Sequence, residues 1–233
     1  MPKVNLPKSL KLVPRPEKVF MRPDFHTQYF QTLLSFELSE VFDDLSGPIH
    51  IVEPIEPYDG CIGEFTEAFH TYYCRMNWIS FKTVAGLYEF EAPENYFAKS
   101  YWKTHPVPDT IHESRRAGWP QAENQHYQSR TQEYNKWRDA MIDNTSKSPD
   151  RPVIELGGRP HNGNWVYTSN FPVEIDKEDV PGQSFPDNFY YPLAHDGRRF
   201  RYIGFSNTFD WRCTIHLFYD PQEQRALQTF DWT

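Results

Sequence analysis

The sequence predicts an α+β fold, an antiparallel β-sheet core with a few flanking helices. Three observations carry this. Twenty prolines are spread through 233 residues, which leaves room for many short elements and few long helices. The last third alternates apolar and polar residues in short runs separated by turn residues. Two stretches only, near 26–45 and 121–142, carry helical spacing. A hydrophobic content of 38% is modest, but 39 residues are Phe, Tyr or Trp, and aromatics bury a large area each.

Residues 1–23 read as a basic arm. Lys3, Lys8, Lys11, Arg15, Lys18 and Arg22 stand against Glu17 alone, and prolines keep the segment extended, with one edge strand near 8–13. Its charge suits packing across the acidic segment that follows. Residues 24–233 are expected to form a single α+β domain with a hinge at 146–151, SKSPDR. Within it, Phe30, Leu33, Leu34, Leu38, Val41, Phe42 and Leu45 recur at three- and four-residue spacing and predict a helix over 26–45. Asp24 is placed to cap that helix and Ser46-Gly47-Pro48 to end it.

Strands are expected at 50–55, 71–84 and 86–91, where Tyr, Trp, Ile, Phe and Val concentrate. Residues 99–120 read as irregular. Pro120 favours a helix start, and Tyr127, Tyr134, Trp137 and Met141 give the helix to about 142 a single narrow apolar stripe. Short strands are expected at 153–156 and 164–168, then at 199–206. The runs CTIHLFYD and RALQTFDW, joined by a short polar loop, form a hairpin.

Charge is uneven along the chain. Residues 23–74 hold ten acidic side chains and no Lys or Arg. Their aliphatic and aromatic content argues that the segment folds, because acidic disordered segments lack it. A net charge of −8 with an acidic block repels phosphate, so nucleic acid is not an expected partner. No stretch approaches the roughly 18 apolar residues of a membrane helix, and the N-terminus lacks a secretory apolar run. Cys61, Cys74 and Cys213 show no paired spacing, which suits a reducing, cytoplasmic setting. The scattered histidines form no HxxxH or HExxH, so no metal is expected. No GxSxG or phosphate-loop pattern occurs, and Cys61 sits among acids that suppress thiolate formation; no catalytic residue and no cofactor is assigned.

The last third carries Leu156-Gly157-Gly158-Arg159-Pro160, then Phe200-Arg201-Tyr202-Ile203-Gly204-Phe205, and closes on IHLFYDPQEQ and LQTFDWT. In these motifs residues 153–233 resemble the YwqG-like family of bacterial cytoplasmic proteins. Phe205 departs from the Gln common after that glycine, and no Gly-Asp-Gly turn precedes the final hairpin. The resemblance implies a mixed α+β domain and transfers no catalytic residue. In character the chain is also similar to bacterial immunity proteins, which are small, acidic and aromatic-rich.

Two functions remain open at this stage. One is a bacterial immunity protein that neutralises a basic toxin, a nuclease effector, through Glu37, Glu40, Asp43, Asp44, Glu53, Glu56, Tyr58, Asp59 and Glu64. The other is a carbohydrate-active hydrolase or small polar ligand-binding protein. It requires a cleft with two facing carboxylates, at least one of them with a raised pKa.

Overall fold

The computed structural model describes residues 6–57, 60–106, 118–143, 151–160, 162–168, 170–179 and 186–232. The expected hinge at 146–151 lies almost wholly outside them.

The fold is α+β and its sheets are antiparallel. A three-stranded sheet runs in the order β1 (Lys11–Leu12), β2 (Phe30–Glu37), β3 (Pro48–Pro54). A six-stranded sheet is built from β4 (Trp78–Val84), β5 (Leu87–Phe90), β6 (Ile154–Leu156), β9 (Arg201–Asn207), β10 (Cys213–Asp220) and β11 (Arg225–Trp232). Its order is β5-β4-β11-β10-β9-β6. The ribbon β7 (Val173–Glu178) and β8 (Asp187–Pro192) has no counterpart among the expected elements. Arg199 steadies it, reaching Glu174 at 2.6 Å and Asp176 at 2.7 Å.

The expected hairpin is present in full register, from Cys213 opposite Trp232 to Asp220 opposite Arg225. Its period of two divides the large sheet into two buried faces. Cys213, Ile215, Leu217, Ala226 and Phe230 face the core shared with the three-stranded sheet. Phe218 and Leu227 face a second cluster with Trp78, Trp165 and Phe171. Gln228, fully buried, spans the two sheets: its Nε2 donates to the Val52 carbonyl at 2.7 Å, and its Oε1 accepts from the Val52 amide at 3.1 Å.

The helix expected over 26–45 is instead β2, followed by a 3-10 turn at Leu38–Glu40. The apolar spacing misled for two reasons. β2 is covered on both faces, so its buried residues do not alternate with exposed ones. A register shift between Thr32 and Leu34 also places Leu33 and Leu34 consecutively in the core. Helix α1 is the short piece Pro23–His26, and α2 is Ala98–Tyr101. The strand expected at 164–168 is a 3-10 turn, Asn164–Val166. Asp231 Oδ1 accepts from its first amide at 2.8 Å, and the turn drives Trp165 into the second core.

The long helix α3, Trp119–Asp143, agrees with expectation. Tyr127 and Tyr134 are buried, with Trp137 and Met141 packed beside them. The arm is part of the fold: the Val13 amide donates to the Leu33 carbonyl at 2.8 Å, and Val19 and Phe20 are fully buried.

Phe30 lies at the centre of an aromatic cluster, 5.1 Å from Phe81, 5.3 Å from Phe90 and 5.3 Å from Phe97 between ring centroids. A Phe30→Ala variant is expected to lose about 3–5 kcal/mol in urea unfolding, the range for deleting a buried aromatic ring. A loss below about 1 kcal/mol would show that the cluster does not hold the two sheets together.

Candidate functional site

At one end of the sheets a cleft of about 410 Å³ opens between four parts of the chain. The end of β3 and the loop after it supply Glu53, Pro54, Glu56, Pro57, Gly60 and Cys61. Helix α3 supplies His126 and Arg130, and the β9–β10 turn supplies Thr208, Asp210 and Arg212. Phe230 and Trp232 close the wall from β11.

Arg130 organises this end of the molecule. Three residues after Tyr127 and four before Tyr134, it falls on the helix stripe that faces the fold. Its Nη2 donates to Glu53 Oε1 at 2.9 Å and its Nη1 to Asp210 Oδ2 at 2.8 Å. Its guanidinium also lies over the Phe209 ring, 4.6 Å from the centroid.

The two carboxyl groups on this one guanidinium are driven apart. Glu53 is 3% exposed, and burial pushes its carboxyl up to about 8 despite the pull of Arg130. Asp210 is also raised by burial, but Arg130 and the Thr208 hydroxyl outweigh that and hold it below the usual range. Every oxygen of the pair is occupied. Glu53 Oε2 accepts from the Phe209 amide at 3.3 Å, and Asp210 Oδ1 accepts from the Thr208 hydroxyl at 2.8 Å. Arg212 Nε reaches Asp210 Oδ2 at 3.1 Å.

Glu56 differs. Both of its carboxylate oxygens are buried, and among the described residues no side chain meets them; the Ile62 backbone amide is near enough to favour the charged form but falls short of good hydrogen-bond geometry. Burial raises its carboxyl well above the ordinary value, with Glu53 and Glu64 adding repulsion. His126 beside it is held below its usual value by burial and then by Arg130.

The residues expected to form one acidic surface are distributed differently from one another. Glu53 and Glu56 line the cleft. Glu64 holds the adjacent turn, accepting from the Cys61 amide at 2.7 Å. A side chain on Gly60, whose φ is +99°, would collide with that carboxylate. Glu37, Glu40, Asp43 and Asp44 lie elsewhere, at the end of β2 and in the following turns. Glu40 accepts from the Ser9 amide at 3.0 Å, and Asp44 pairs with Arg201. Tyr58 and Asp59 lie outside the described residues.

Sequence reasoning passed over Arg130, His126, Thr208, Asp210 and Arg212. Arg130 alone left a signal, a cation placed on an apolar helical stripe. Among the described residues no group of three or more His, Cys, Asp or Glu side chains is arranged to hold a metal ion. None of the described helices is long and apolar enough to cross a membrane. Comparisons with protein-family models, with curated proteins and with solved structures return no match.

The raised carboxyls set the pH dependence of folding. A group whose folded pKa exceeds its unfolded value binds more protons when folded, so stability falls as pH climbs through that interval. For Glu53 the interval runs from 4.5 to about 8. Below pH 6.5 the buried His26 and His50 and the half-buried His126, all held low, act in the opposite sense. Between pH 6.5 and 8 the carboxyls act alone, and stability is expected to fall by up to about 1.4 kcal/mol per pH unit for each group. Thermal unfolding of Glu53→Gln should show a shallower decline; an identical slope would mean that Glu53 does not titrate there.

Proposed function

We propose that the chain binds a small polar ligand in the cleft between β3, α3 and the β9–β10 turn. The observation that carries this is the pairing of a 410 Å³ cleft with a buried Glu56 carboxyl that, among the described residues, no side chain meets and only the Ile62 backbone amide approaches, short of good hydrogen-bond geometry. Buried polar groups in folded proteins are nearly always partnered, and an orphan costs about 1–3 kcal/mol unless something else meets it. Binding is favoured over hydrolysis on geometric grounds. A general acid must be able to give its proton to the substrate, whereas Arg130 and the Phe209 amide already occupy both oxygens of Glu53. A cytoplasmic setting belongs to this reading and agrees with three unpaired cysteines. The likeness of residues 153–233 to the YwqG-like family enters as a proposal too, and it names no ligand.

The experiment is ligand-observed and amide-shift NMR on the full chain with a library of small polar compounds, simple sugars included. Binding should move the amides of Gly60, Cys61, Thr208 and Arg212 together. If nothing at millimolar concentration moves them, the cleft is not a binding site.

A second reading is supported by the surface acids. Glu40, Asp43 and Asp44 are exposed within one short stretch after β2, with Glu37 half-buried beside them. As a bacterial immunity protein, the chain would present this stretch to a basic toxin, where complementary charge speeds association. Replacing Glu37, Glu40, Asp43 and Asp44 by Lys should abolish salt-sensitive capture of a basic toxin and the protection of a host against it. Unaltered protection would remove these residues from the contact.

A further inference from the structure

A second cavity, of about 350 Å³, lies between the C-terminal half of helix α3, the arm and the start of β2. It shares no lining residue with the cleft described above. Its origin is local. β1 ends at Leu12, the Val13 amide makes a last bond to the Leu33 carbonyl, and Pro14 and Pro16 cannot continue the ladder. The arm leaves β2 at this point, pinned by the Thr32 hydroxyl, which donates to the Pro14 carbonyl at 2.7 Å. Helix α3 closes the gap with Thr131, Asn135, Arg138 and Ile142, which share one helical face.

The charge in this cavity is positive. Among the described residues lining it, Arg15 and Arg138 are the cations and Asp139 is the sole acid. Two cations against one anion leave one positive charge in excess, in a chain whose net charge is −8. Arg15 makes no ion pair among the described residues, and Arg138 meets only Asp139, its neighbour on the chain, at 2.9 Å. Burial pushes the Tyr134 hydroxyl up to about 12, while its bond to Thr32 and then the charge of Arg138 oppose this. The Arg138 guanidinium therefore acts on the cavity wall.

Gln31 supplies the second observation. It is 5% exposed and lines the cavity. Its Nε2 donates to the Arg130 carbonyl at 3.3 Å, a long contact, and among the described residues no donor meets its Oε1. A buried carboxamide oxygen without a donor is destabilising unless something in the cavity meets it. Val13, Pro14, Pro16 and Phe30 give the same wall apolar surface.

We propose that this cavity binds a small monocarboxylate with an apolar body and a hydroxyl or N–H donor, its carboxylate at Arg15 and Arg138 and its donor toward Gln31. The site stands independently of the cleft at the other end of β2. Guanidinium forks match carboxylate geometry, and one negative charge balances the excess. A doubly charged phosphate exceeds that excess and has no body to cover the apolar wall. A cation is repelled by two guanidinium groups, and a neutral alcohol leaves both of them unused.

The test is an amide-shift NMR titration of the full chain at pH 7 and low salt. The probes are 4-hydroxyphenylacetate, phenylacetate, 4-hydroxyphenylethanol and tyramine. The first is expected to bind about tenfold more tightly than the neutral alcohol, moving the amides of Thr27, Gln31, Thr131 and Asn135 together. Phenylacetate, without the donor, should bind about threefold more weakly than the hydroxy acid. Arg15→Gln should weaken both carboxylates about fivefold and leave the alcohol unaltered. Asp139→Asn releases Arg138 from its neighbour and should tighten both about threefold, a gain that loss of structure does not produce. Gln31→Met should erase the advantage of the hydroxyl; the melting temperature of each variant checks folding.

Equal or tighter binding of the alcohol or of tyramine overturns the carboxylate assignment. So does affinity untouched by both Arg15→Gln and Asp139→Asn, two changes at exposed side chains. A hydroxyl preference that survives in folded Gln31→Met overturns the place given to the donor. Shifts confined to Gly60, Cys61, Thr208 and Arg212 would put the acid in the cleft instead and overturn this site alone. No shift at millimolar concentration overturns it as well.

Discussion

The arrangement of this molecule depends on one guanidinium. Arg130 joins three segments that are distant in sequence: the end of β3 through Glu53, helix α3 on which it stands, and the β9–β10 turn through Asp210. Helix α3 is polar over most of its surface and offers a narrow apolar stripe, so burial alone attaches it weakly. Tyr134 adds a polar link to the same sheet, its hydroxyl donating to the Thr32 carbonyl at 2.6 Å. A buried ion network of this kind gives little net stability compared with an apolar core. Removing one member, however, strands the others, at a cost of about 3–5 kcal/mol. The network therefore fixes the relative positions of the cleft walls more than it stabilises them.

The same constraint separates the roles of the carboxyl groups. Glu53 and Asp210 are fully engaged in holding the walls together, while Glu56, three residues beyond Glu53, is met by no side chain among the described residues. Local sequence choices usually agree with the fold, and violations concentrate where function resides. Glu56 is such a violation. Its enclosure among tyrosines and thiols would be served better by an apolar side chain if folding were the sole demand.

Much of the fold was legible in the sequence because its signals were local. The hairpin of β10 and β11 followed from two alternating runs and the short polar loop between them, and α3 from its stripe and Pro120. β2 was not legible, since a strand buried on both faces and carrying a bulge shows the same apolar spacing as a helix. The site was half legible. The acidic segment drew notice to Glu53 and Glu56, but the groups that complete the cleft come from 77 and 156 residues further along the chain, at Arg130 and Phe209. Part of the puzzle of ten acids without local cations has the same answer: for Glu53 and Asp44 the counter-charges, Arg130 and Arg201, are supplied by later elements. No periodicity within residues 23–74 could have reported that.

Burial keeps one carboxyl partner of Arg130 protonated while the other stays ionised, and this is open to direct measurement. Side-chain ¹³C NMR of the Glu and Asp carboxyl carbons, followed from pH 3 to pH 9, reads each group separately. Glu53 is predicted to titrate near 8 and Asp210 below the ordinary range for aspartate. If both titrate together near pH 4, Arg130 joins two ordinary carboxylates, and the account of the cleft given above is wrong.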